Sequence, residues 1–166
     1  MGGLLIMAVR DVLLIGVMLF AFGLGFFIIH YAMNTTVNSM LDISVINSSN
    51  GTVTALESIE ETTNRLDYIL FAVFMALVLG LIITGFLVGG HPIFMFVYLL
   101  VIIIGVVISA LLANIWSEVT AAAVFGTTVS HFPITNSILT SLPLYLVVVG
   151  FIGMIAMFAK PYIYGN

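Results

Sequence analysis

Cysteine is absent from the 166 residues, which excludes disulfides, thiolate metal sites and cysteine nucleophiles. Charge is nearly as scarce: only 6% of residues are Asp, Glu, Lys or Arg, against about 25% in an ordinary soluble domain. The basic residues are Arg10, Arg65 and Lys160, too few and too scattered for a nucleic-acid surface. With 63% hydrophobic residues, a soluble fold of this size would lack polar cover for its surface. A bilayer removes that problem by solvating apolar side chains itself.

Four apolar stretches reach the roughly 20 residues needed to cross about 30 Å of hydrocarbon. They lie at about 12–33, 68–88, 93–115 and 142–159, and none contains Asp, Glu, Lys or Arg. Each must be a helix, because a lone strand would leave backbone polar groups unsatisfied in lipid. The runs also lack the in/out alternation of barrel strands. Arg10, Asp11, Asp67, Glu118 and Lys160 stand at the span ends, with Tyr31, Tyr68, Trp116, Tyr162 and Tyr164 as an aromatic belt. The expected architecture is therefore a single all-α membrane domain over 1–166, with four transmembrane helices. Ile6 stands where a myristoylation signal carries Ser or Thr. The first apolar run ends in IIHYAMN rather than at a small-residue cleavage site, so it reads as a retained anchor.

Four spans put both termini on one side, and Arg10 with Lys160 favours the cytoplasmic side for them. The sequons at Asn34, Asn47 and Asn50 then face outward. The 34–67 segment keeps helical spacing at Met33, Val37, Met40, Leu41 and Val45, and again at Val53, Leu56, Ile59, Leu66 and Leu70. It skips Thr63. A turn at Asn47–Thr52 separates the two arms, so the first two spans are expected to extend into an extramembrane helical hairpin. Thirteen helical residues would project about 20 Å. The hairpin carries Asp42, Glu57, Glu60, Glu61 and Asp67 against Arg65 alone. Such a face either keeps an apolar protein dispersed or docks a basic partner.

Gly89-Gly90-His91-Pro92 makes a tight turn between the second and third spans, with Pro92 at a helix first turn. The 116–141 connection is expected to continue the third helix to about Phe125, break across 126–134, and form an interfacial turn over 134–142.

Candidate chemistry is sparse. His30, His131 and Glu118 share one side and His91 the other, and no two ligands have the spacing that puts them on one helix face. No metal, cofactor or catalytic residue is expected. His30 reads as an interfacial polar residue, and His131 as the pH-sensitive candidate if its loop has a partner. Transport normally requires ionisable groups facing the bundle at mid-membrane, and none is present. Ser109 and Asn114 read as helix glue or as groups that satisfy backbone carbonyls, and Gly105, Ser109 and Ala113 as a small-residue contact face. Asp42, Glu57, Glu60, Glu61, Glu118 and His131 are the candidate partner contacts.

The stretches FLVGGHPIFMFVYLL, ISALLANIWSEV and FPITNSILTSLPLYLVVVGFIGMIAMFAK carry an HP turn, Asn114 with Glu118, and a Pro-then-apolar last span ending in Lys160. In these the chain resembles small integral membrane proteins of tailless icosahedral bacterial and archaeal viruses that have an internal membrane. The resemblance covers about residues 67–160. It implies a structural, non-enzymatic virion membrane protein that contacts capsid or neighbouring membrane proteins as an oligomer, with no catalytic residues. Other classes fitting the composition are an accessory subunit of a membrane enzyme or transport complex, and a holin-like pore.

Overall fold

A computed structural model describes the backbone of residues 2–88 and 93–163, and side chains within 13–84, 86 and 95–158. The Gly89–Pro92 turn, Arg10, Asp11, Lys160, Tyr162 and Tyr164 lie outside those described side chains. Within them every element is helical and no strand occurs.

Helix α1 (Gly2–Leu41) runs unbroken for 40 residues, about 60 Å at 1.5 Å per residue. No charged residue occurs between Val12 and Leu41. In its polar last turns Thr36 and Ser39 donate their hydroxyls back to the carbonyls of Ala32 and Thr35, which satisfies those hydroxyls within the helix. The chain then reverses. Asp42 and Ile43 form a turn, α2 (Ser44–Asn47) is one helical turn, and α3 (Asn50–Asn64) packs back against α1. Val37 of α1 and Leu56 of α3 are both buried there. The reversal thus uses two short breaks, at 42–43 and 48–49, instead of one turn at 47–52. Ser48 and Ser49 interrupt the second because neither side chain caps α3 and both hydroxyls bond locally.

Helix α4 (Leu66–Val88) follows α3 after the single residue Arg65, whose N–H bonds to Thr62 and Thr63 carbonyls. The middle of helix α5 (Ile93–Ala121) carries only apolar residues, Gly105 and Ser109. The helix ends four residues before Phe125, since Ala122 is extended (φ −66°, ψ 128°). A 3-10 turn (Ala123–Phe125), α6 (Gly126–Ser130) and α7 (Pro133–Thr140) occupy the stretch expected to be a break and an interfacial turn. Burial of Thr128, Phe132, Thr135, Ile138 and Leu139 explains that difference. One face of the segment packs onto the helix bundle, where its backbone must bond to itself. Helix α8 (Leu142–Ile163) then leaves α7 at a bend of 75°.

Leu13–Leu41, Asn50–Thr84 and Met95–Ala121 are each long and apolar enough to cross a membrane, and the bent α7–α8 pair adds up to a fourth. Their outward faces are apolar, as at Phe96, Ile103, Leu111, Leu144 and Ile155. A multi-pass integral membrane protein accounts for that surface, because lipid tails solvate it. Close approach of the helices depends on small residues. Leu146 of α8 reaches between Gly16 and Gly105, and a methyl group on either glycine would sit 3.1 or 3.0 Å from its side-chain carbons.

Candidate functional site

The buried polar groups gather where three helix breaks meet: the α3–α4 junction at Arg65, the Ala122–Phe125 turn, and the α6–α7 junction at His131-Phe132. Asp67 lies in the first turn of α4, where a carboxylate is already favoured by the helix dipole. Its side chain also serves a second helix. Helix α7 begins at Phe132, which offers no capping side chain, and Pro133 at its first position has no N–H. The next two N–H groups, of Ile134 and Thr135, donate to Asp67 Oδ2 and Oδ1 at 3.0 and 2.7 Å. Asp67 is therefore the cap of α7, supplied from another helix. Only 2% of its surface is exposed. It does not belong to the solvated acidic face expected of it, because its carboxylate is consumed by these two donors.

His30 of α1 sits beside this cap and is fully buried, 0% exposed. Its Nε2 lies 2.8 Å from Asn64 Oδ1 at the end of α3. One ring edge faces Phe132, and the His131 ring lies 5.1 Å away, centroid to centroid, at 34°. Phe27, one turn earlier on α1, packs against Trp116, Phe125 and Phe132 with centroids 5.1 to 5.7 Å apart. Edge-to-face contacts of this kind each add to apolar burial. Trp116 is fully buried and donates Nε1–H to Asn136 Oδ1 at 2.9 Å, so it is a core residue, not a belt residue. Thr63, which the apolar pattern skips, is also buried, its hydroxyl donated to the Glu60 carbonyl. Among the described residues, His30 Nδ1 and Thr135 Oγ1 are buried with no hydrogen-bond partner.

The candidate partner contacts lie apart from this clasp, except one. Asp42, Glu57, Glu61 and Glu118 are exposed, Glu60 is half-buried, and Glu61 pairs with Arg65. His131 is exposed, yet its ring abuts the buried His30. Gly105, Ser109 and Ala113 are all buried on α5; the Ser109 hydroxyl bonds its own helix at Val106, not a neighbour. Asn114 is exposed and so is not buried glue. Among the described residues, no three His, Asp or Glu side chains gather as a metal site would require.

No family model, curated protein or solved structure matches the chain.

The clasp residues Asn64, Asp67, Trp116, Thr135 and Asn136 are missing from the sequence-based candidates. One signal could have found them. Phe132-Pro133 opens a helix without a capping side chain, so its free N–H groups call for an acceptor from elsewhere in the chain. Which acceptor answers is a matter of packing.

What this arrangement can do is tie helices. Asp67 joins α4 to α7, His30–Asn64 joins α1 to α3, and Trp116–Asn136 joins α5 to α7. The clefts border this region and are mostly apolar. One runs between α4 and the α7–α8 elbow, lined by Phe71, Phe74, Pro133, Ile134, Ser137, Ile138 and Tyr145, and another lies beside Arg65 and Tyr68.

Proposed function

We propose that the chain is a non-enzymatic structural protein of a membrane, with four spans, in which the bent α7–α8 pair supplies the fourth. On this reading, the end of α1, α2 and α3 form a helical hairpin outside the bilayer. The hairpin and the 116–141 segment contact a basic partner. By the resemblance of residues 67–160, that partner is a capsid protein or a neighbouring protein in the internal membrane of a virion.

One observation carries the reading. The buried side chains of His30, Asp67 and Trp116 form ties between helices, while the acidic ones at Asp42, Glu57 and Glu61 are exposed on α3 and its approach. A rigid bundle that displays an outward acidic arm suits a protein that positions others. Exposed Ile43 and Val45, the latter 76% exposed at the reversal, give that arm an apolar tip of the kind interfaces cover.

The test is joint replacement of Glu57, Glu60 and Glu61 by Gln in the native assembly. Loss of co-purification with the partner, with the bundle still folded, is the expected result. Unchanged assembly would remove the docking role. A second reading, an accessory subunit of a larger membrane complex, is favoured by the lateral groove between α4 and the α7–α8 elbow, which suits a neighbouring helix. Co-isolation with a redox or transport subunit, in place of capsid protein and lipid, would select it.

A further inference from the structure

We infer that His30 and His131 form a proton-binding pair: on acidification they take up one proton and share it in an N–H···N hydrogen bond at His30 Nδ1, which clamps residues 122–132 onto α1.

The first support is the orphaned nitrogen. Nε2 of His30 faces Asn64 Oδ1, a carbonyl oxygen that can only accept, so Nε2 carries the hydrogen. Nδ1 is left with a lone pair, buried and without a donor among the described residues. Such an acceptor is unsatisfied until a donor reaches it.

The second support is what stands beside it. The His131 ring is 5.1 Å from that of His30, and the residue is exposed at the surface of the chain. A neutral imidazole has a single N–H, and it satisfies a neighbour only if the correct nitrogen carries it. An imidazolium donates from both nitrogens, so protonated His131 presents a donor to His30 with either nitrogen turned inward. The resulting bond is charge-assisted and stronger than a neutral one. Imidazole is also the side chain whose charge ordinarily changes between about pH 5 and 8.

Carboxylates stand on the helices packed around the pair. Asp67 lies at the start of α4, bonded to α7 directly after His131-Phe132. Glu57, Glu60 and Glu61 lie on α3 and Glu118 on α5, while Arg65 is paired with Glu61. Tyr31, next to His30, packs its ring on Phe125, and Asn64 is neutral. A second proton on the pair would set two cations side by side and is opposed.

The experiment uses the full chain in lipid nanodiscs, at pH 8 and pH 5.5. Hydrogen exchange at amides 122–132, corrected for its intrinsic pH dependence, should slow about tenfold at the lower pH, the scale of one ordinary hydrogen bond. His131→Gln, at an exposed position, should fold and lose this response, whereas His91→Gln should keep it. The proposal is overturned if His131→Gln retains the response, or if acidification leaves 122–132 unchanged or loosens it.

Discussion

Asp67 and Thr135 are 68 residues apart in the chain, yet the carboxylate of one accepts the backbone N–H of the other at 2.7 Å. That contact and its companion at Ile134 close the open end of α7 and fix the head of the bundle to α4.

Removing the carboxylate strands two buried N–H groups. Asp67→Ala is expected to cost about 3 kcal/mol, since each unsatisfied buried group costs roughly 1–3. Asp67→Asn keeps one acceptor oxygen and should cost about half as much. Thermal unfolding in detergent ranks the three proteins; equal midpoints for the two variants would mean the charge-bearing geometry is irrelevant.

Two glycines mark close helix contacts. A methyl group at Gly23 would lie 2.6 Å from Leu139 Cδ1, and one at Gly153 would lie 2.6 Å from both Leu81 Cδ2 and Tyr98 Oη. Gly25 and Gly80 meet nothing within 4 Å. Gly23→Ala and Gly153→Ala should destabilise by about 1–3 kcal/mol through overpacking. Gly25→Ala should be neutral or slightly stabilising, as alanine is the better helix former. A reversed order in unfolding assays would refute this helix packing.

Trp116 and Asn136 should be energetically coupled. Trp116→Phe and Asn136→Ala each break the 2.9 Å bond, so a double-mutant cycle is expected to return a coupling of about 0.5–3 kcal/mol. Additive effects would show that the bond contributes nothing.

The natural lack of cysteine makes topology directly measurable. Val45→Cys should react with a membrane-impermeant thiol reagent from the side opposite a cysteine placed at either terminus. If the two termini label from opposite sides, the α7–α8 pair is not a span and the number of crossings is odd.

The apolar runs of α1, α4 and α5 were legible because lipid imposes one requirement that composition alone can show: about 20 uncharged residues whose backbone bonds to itself. The return of α3 against α1 was foreshadowed for the same kind of reason, in the helical spacing of Val37, Val53 and Leu56. The breaks were harder to read. Arg65 and Ala122 interrupt helices with residues that carry no breaker chemistry, because packing at the bundle head favours the bend over continuation. Asp67 shows the limit most clearly. By type and position it is indistinguishable from Glu60 or Glu61, and all three read as surface charge. Only the fold decides that Asp67 points inward. Phe132-Pro133 leaves two N–H donors open, and α4 brings the nearest carboxylate to them. Composition thus determined the solvent, the helices and most of their lengths, through hydrophobicity and backbone hydrogen bonding. Tertiary structure decided which polar side chains became the clasp, because a hydrogen bond depends on ångström-scale placement that no local pattern encodes.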